Sequence, residues 1–324
     1  MKRADLLPAD AVPTESFAPW PGRLVPLDGS RVFVRDTPAT SSVAEPALYV
    51  HGLGGSSQNW TDLAGLLAGR LAGQAIDLPG FGRSDPGRSY TIAASAARVA
   101  RWIEHAGRGP VHLIGNSLGG TVAVRVAGCR PELVRSLTLI SPAMPFLNPR
   151  RSLQGRVLPL LAMPRAERIA GRLLARVEPE AMARQVIEAC FADPSRLSPQ
   201  RRAEALEEVR LRYTVAHYPA AYLGTMRGIV LTFLRAYLPG ANSLWRIARQ
   251  VTAPTLVIGG LGDRLVDVRV SPQVAKVIPD SRLLMLDRVG HVAQMEDPHT
   301  VARAVLGLLD ELSAAAGRPT GLAI

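Results

Sequence analysis

Leu113-Ile114-Gly115-Asn116-Ser117-Leu118-Gly119-Gly120 decides the reading of this chain. It contains the pattern G-x-S-x-G, preceded by the apolar run Val111-His-Leu-Ile114 and followed by helix-forming sequence over 119–127. A serine held between a strand and a helix by two flanking glycines is the setting this pattern needs to mean a nucleophile. The turn is tight enough to strain the serine backbone, and Cβ atoms two residues to either side would strike neighbouring main chain. Gly115 and Gly119 remove them. The competing reading is a glycine-rich strand-to-helix turn with a bystander serine.

Outward from this turn, strands alternate with helices. Strands are read at 31–36, 47–50, 75–76, 111–114 and 134–140, and helices at 60–71, 92–105 and 119–127. Repeated βαβ spacing forces a mostly parallel sheet with helices on both faces. The pattern breaks after Ile140. Residues 142–253 carry helical stretches at 165–177, 180–191 and 199–213, no convincing strand, and prolines at 142, 145, 149, 159 and 164. The α/β pattern resumes with a strand at 255–258, a helix at 270–277, a strand at 282–286 and a last helix at 298–312, with Asp297 as its N-cap. The expected organisation is an N-terminal extension at 1–20, an α/β core at 21–141 and 254–324, and a helical cap at 142–253.

A serine hydroxyl is a poor nucleophile until a base takes its proton. Of the six histidines, His112 lies inside a strand, His105 and His217 lie in or near helices, and His299 opens the last helix. His51 lies in a glycine-rich loop, and His291 follows a strand in Val289-Gly-His291-Val. His291 therefore stands where a loop at the C-terminal sheet edge belongs, and it is the expected base. The base needs an acid to hold its tautomer. Asp263, in Gly259-Gly-Leu-Gly-Asp263-Arg264, lands at the same edge, and Asp267 is the fallback. Two N–H groups must hold an oxyanion. Leu118 directly follows the serine, and Leu53 lies in His51-Gly52-Leu53-Gly54-Gly55, after the strand 47–50. A phosphate-cradling loop is the rival for that glycine run, but the G-x-G-x-x-G and Lys-Ser/Thr spacings are missing.

Together these pieces resemble the α/β-hydrolase superfamily, in its capped esterase, lipase and C–C hydrolase branches. The matching stretches are 51–55, Asp77-Leu-Pro-Gly-Phe-Gly-Arg-Ser84, 115–119, Gly262-Asp263-Arg264 and Gly290-His291. The resemblance implies an eight-stranded type of sheet, the triad order Ser117, Asp263, His291, and a cap inserted where 142–253 falls. Haloalkane dehalogenases and epoxide hydrolases of this fold place an aspartate where Ser117 stands, so the resemblance argues against both. The Gly-Asn-Ser-x-Gly-Gly turn occurs in C–C hydrolases of ring-cleavage products. Those carry aromatic residues where this chain has Val292 and Met295. An apolar pair there suits an acyl or alkyl group.

The expected activity is cleavage of a small or medium apolar carboxylic ester through an acyl-enzyme. The candidate pocket residues are Gly52, Asn116, Val292, Met295 and Met226, and in the cap Leu160, Leu161, Met163, Leu231, Phe233, Leu234 and Tyr237. Most of the cap residues read equally as packing between helices. C–C hydrolysis, acyl transfer to an alcohol, and a non-catalytic binding role remain the alternatives.

Composition sets the outer bounds. Of 324 residues, 47% are apolar and 20% charged, which excludes a disordered or collagen-like chain. Cys129 and Cys190 stand apart with no CxxC, so neither a disulfide framework nor a metal site is expected, and no cofactor is implied. The net charge is +11, but 36 of the 38 basic residues are arginine, a skew that coding bias also produces. No dense basic run tracks a phosphate backbone, so nucleic acid is not an expected partner. The region 142–253 holds 17 arginines against 8 acids; the rest holds 21 basic and 19 acidic residues. That excess would suit an acidic substrate, an acyl-carrier protein or an anionic membrane surface, with solvated surface as the plainer reading. The first 20 residues are charged and proline-punctuated, and no stretch of 18 residues is uncharged and apolar. Neither a signal peptide nor a membrane span is expected, and the cytoplasm is the expected location.

Overall fold

The computed structural model describes residues 1–146, 177–237, 243–315 and 317. The helix read at 165–177 (all but its last residue) and the residues Leu160, Leu161 and Met163 lie outside these.

The core is one sheet of nine strands: β1 (Lys2–Arg3), β2 (Gly22–Leu27), β3 (Ser30–Thr37), β4 (Glu45–Val50), β5 (Leu71–Ile76), β6 (Val111–Asn116), β7 (Val134–Ile140), β8 (Thr255–Gly260) and β9 (Ser281–Leu286). The spatial order is β1-β9-β8-β7-β6-β4-β5-β3-β2. Pairing is parallel from β1 through β5 and antiparallel at β5–β3 and β3–β2. The central strands β6 and β8 are buried at every position, as strands covered on both faces must be. The ninth strand is β1, two residues that continue the sheet beyond β9 within the stretch read as an extension.

Helices between the strands are α1 (Thr61–Leu66), α2 (Ile92–Ala106) and α3 (Leu118–Cys129); after β8 come α8 (Val270–Val277), α9 (Ala293–Glu296) and α10 (Pro298–Ala315). Amphipathic spacing sets their packing. In α2, Ile92, Ala96, Val99 and Ile103 are buried on one stripe, and the Thr91 hydroxyl caps the first turn by accepting from Ala94 N at 3.1 Å. Asp297 Oδ1 likewise accepts from Thr300 N at 3.2 Å at the start of α10. The helix expected over 60–71 is shorter. A 3₁₀ turn at Ser57–Trp60 leads into α1, and Leu71 already belongs to β5. Leucines 63, 66, 67 and 71 keep helical spacing, but the last is buried as a strand residue.

Between β7 and β8 the described residues form helices only: α4 (Pro179–Cys190), α5 (Pro199–Thr214), α6 (Tyr218–Arg235) and α7 (Leu244–Arg249), with one 3₁₀ turn. This segment, where the cap is expected, is tied to the sheet and its flanking helices by ion pairs. Arg201, 12% exposed, grips Asp62 at 2.6 and 2.9 Å, and Arg83 of the core reaches Glu208 at 3.0 Å. Part of the cap's arginine excess is therefore structural.

Candidate active site

The chain leaves β6 at Asn116 and enters α3 at Leu118, so Ser117 alone makes the turn. Its backbone sits at φ 55°, ψ −116°, a strained conformation for a residue with a Cβ. The neighbours make the turn possible. A Cβ on Gly115 would stand 2.5 Å from Gly119 O, and one on Gly119 would collide with Val50 O and His51 O. Ser117 N donates to Ile140 O at 3.0 Å, and Ser117 O accepts from Thr121 N at 3.1 Å and Ala143 N at 3.0 Å. Leu118 is the first helical residue, and its N–H has no acceptor within the helix.

His291 and Asp263 are brought together at the ends of β9 and β8. His291 Nδ1 stands 2.8 Å from Asp263 Oδ2, and both side chains are buried. Asp263 Oδ1 accepts from Leu265 N at 2.8 Å and Val266 N at 2.9 Å. Burial raises the proton affinity of this carboxyl, but His291 and the two amides outweigh it and hold Asp263 below the ordinary aspartate range. The fallback Asp267 is instead bound to Arg269 at 2.6 Å.

The His291 loop is pinned from three directions. Asn116 Nδ2 donates to His291 O at 3.0 Å and to Ile140 O at 3.1 Å. His291 N donates to Cys190 O at 2.7 Å, at the end of cap helix α4. Glu296 accepts from Gly290 N at 2.7 Å, Ala192 N at 3.1 Å and Asp193 N at 2.8 Å. Cys190 itself is no reactive thiol: burial and the Asp263 charge push it up to about 12.

The 51–55 loop forms the opposite wall. A Cβ on Gly52 would stand 3.2 Å from Ser117 Cβ, so this loop lies directly against the serine. Gly55 N closes its turn onto Gly52 O at 3.0 Å, with Leu53 inside the turn. His51 is buried and held: Nδ1 lies 2.7 Å from Gly52 O, and Nε2 accepts from Leu78 N at 2.9 Å. Burial keeps its proton affinity below that of an ordinary histidine, so it braces the loop as a neutral ring. Cap residues complete the roof. Tyr218 Oη and the Tyr222 ring pack on Gly54, and burial pushes the Tyr222 phenol up to about 12.

The candidate pocket residues divide. Gly52 touches the serine, and Met226 packs with Leu223 against Leu53. Val292 and Met295 pack with Ile187, Phe191 and Leu197. Asn116 is occupied by two carbonyls and acts as a brace. Leu231, Leu234 and Tyr237 face solvent, and Phe233 packs against Phe146. Sequence reading passed over Glu296, Cys190, Tyr218 and Tyr222. They carry no local motif, and the partners that tie them to the site, Ala192, Asp193, His291 and Gly54, lie far away along the chain.

A nine-stranded, mostly parallel sheet with a strained serine after β6 and a His–Asp pair after β9 and β8 defines an α/β hydrolase architecture. The alpha/beta hydrolase fold family matches residues 46–298, and the chain belongs to that family. Over 100 residues it is 40% identical to the dihydrolipoyllysine-residue acetyltransferase component of the acetoin cleaving system of Cupriavidus necator, a match covering 31% of this chain and 27% of that protein. It is 27% identical to the provisionally named carbamate hydrolase RutD of Pseudomonas savastanoi pv. phaseolicola, over 80% of this chain and 91% of that one. Among solved structures, a bacterial membrane phospholipase A superposes with a TM-score of 0.72 at 26% identity, covering 91% of this chain and 87% of the other. No helix among the described residues is long and apolar enough to cross a membrane.

Proposed function

We propose that this hydrolase cleaves a small or medium apolar carboxylic ester through an acyl-enzyme on Ser117. The observation that carries the reading is the 2.8 Å contact between His291 Nδ1 and Asp263 Oδ2. A proton held on Nδ1 leaves Nε2 as the base. In this mechanism Nε2 takes the Ser117 proton as Oγ attacks the ester carbonyl. The backbone N–H groups of Leu118 and Leu53 hold the tetrahedral oxyanion, and Asp263 stabilises the imidazolium. His291 then protonates the departing alcohol. Water, deprotonated by the same nitrogen, releases the acid and restores the serine. Leu53, Leu223 and Met226 supply an apolar wall beside the oxyanion loop. The names of the relatives, among them a carbamate hydrolase and Lipase 1 of Psychrobacter immobilis, agree with hydrolysis of an acyl bond.

The test is labelling with a fluorophosphonate probe. Wild type is expected to label, and Ser117→Ala and His291→Ala to fail while remaining folded. A folded wild type that does not label, and hydrolyses no ester in a chain-length series, would overturn the proposal.

A further inference from the structure

The last two turns of α6 leave the protein surface with an unusual face. Leu231 is 50% exposed and Leu234 61%, and Tyr237, just past the helix, is 47% exposed. They recur at helical spacing beside the exposed Arg235. Ser243 Oγ donates to Ala236 O at 3.2 Å, which brings the start of α7 against this end of α6. Helix α7 adds the exposed Arg246 and Arg249. Among the described residues, no carboxylate pairs with Arg235, Arg246 or Arg249. Between Glu208 and Asp263 the sequence has six arginines and no acidic residue, so none of these three has an acidic neighbour on its own helix. Other cap arginines are paired, Arg201 with Asp62 and Arg210 with Glu180.

We infer that this face docks on an anionic phospholipid surface. Exposed leucines and a tyrosine enter the boundary between headgroups and acyl chains, while unpaired arginines meet lipid phosphates. Charge complementarity selects this occupant. A second copy of the chain would set the arginines of one α6–α7 face against those of the other, and a neutral apolar partner would leave them without counterions. The helix also runs toward the site. Tyr222 packs on the Gly54 loop, and Leu234 lies about 18 Å further along the same axis, at about 1.5 Å per residue.

The test is co-sedimentation of the full chain, as wild type and as Ser117→Ala, with vesicles of phosphatidylcholine alone or mixed with phosphatidylglycerol. Binding needs no turnover, so failure of the ester-hydrolase reading would leave this result readable. Binding is expected only to the mixed vesicles, and added salt is expected to weaken it. The replacements Arg235→Gln and Arg246→Gln are each expected to weaken binding about fivefold. The pair Leu231→Ser and Leu234→Ser, with folding checked by circular dichroism, is expected to abolish most of it. Absence of binding to the mixed vesicles, or binding that none of these changes alters, overturns the proposal. So does a dimer in solution that the leucine changes dissolve. Binding lost with the arginines but untouched by the leucine changes would mean a soluble acidic partner instead, and would equally overturn it.

Discussion

Asn116 and His291 are 175 positions apart and joined by one amide: Asn116 Nδ2 donates to the His291 carbonyl at 3.0 Å. The residue before the candidate nucleophile thus holds the main chain of the candidate base. Asn116 is a positioning residue, so Asn116→Asp, which opposes an oxygen to two carbonyls, is expected to lower kcat about 10- to 100-fold with KM nearly unchanged. Two buried acceptors losing their donor would also cost about 1–3 kcal/mol each. Steady-state kinetics and a melting curve on the same preparation check both effects. A rise in KM alone would place Asn116 in substrate binding instead.

The two aspartates after β8 make a paired test. Asp263→Asn removes the charge that holds the His291 tautomer and is expected to lower kcat on the order of 10⁴. Asp267 is engaged by Arg269 rather than by His291, and Asp267→Asn is expected to leave ester hydrolysis within about twofold of wild type. Comparable losses in both variants would sink the assignment.

Ser117 stores backbone strain at φ 55°. Ser117→Gly relieves about 1–3 kcal/mol of it, against about 0.5–1 kcal/mol for the freer unfolded chain. Ser117→Gly is therefore expected to be more stable than Ser117→Ala by about 1 kcal/mol. Both are expected to be inactive. Denaturant midpoints measure the difference, and equal midpoints would show that the turn is not strained.

Acid sensitivity has a visible source at the sheet edge. Glu311 accepts from Arg282 at 2.7 Å and pairs with Lys2 at 3.3 Å, and chiefly the Arg282 hydrogen bond lowers it from 4.5 to about 2. A depressed carboxylate stabilises the fold above its unfolded value. That contribution is lost as the pH falls from about 4.5 toward 2. Glu311→Gln is expected to cost about 1 kcal/mol at neutral pH, after allowance for its partial exposure. The gap from wild type is expected to close across that acid window. A gap constant with pH would assign the loss to packing.

The candidate triad was legible because each member follows within a few residues of a strand end, and parallel pairing carries all three strand ends to one edge. Ser117, Asp263 and His291 needed only periodicity and a turn motif. Asn116 looked like a pocket residue because its neighbour is the candidate nucleophile, and only the fold shows its amide spent on two carbonyls. Glu296 and Cys190 were invisible for a related reason: the bonds from Glu296 to Ala192 and Asp193 and from Cys190 to His291 join distant parts of the chain, and no local spacing encodes them. Strand β1 escaped because two residues carry no period. Strand β2 escaped because its residues are mostly exposed and include Pro26, as suits an edge strand.

The bond from His291 N to Cys190 O bears on how this architecture can be recombined. Strand pattern alone invites a graft that exchanges everything between 142 and 253 for the equivalent piece of a relative. Such a chimera would keep the acceptor of the histidine's amide and two of the three Glu296 donors only where the grafted main chain follows the path of residues 190–193. The segment 142–253 is therefore not portable as an intact module without matched junctions. A transplant with working junctions would keep residues 190–193 with the recipient and exchange only the helices on either side.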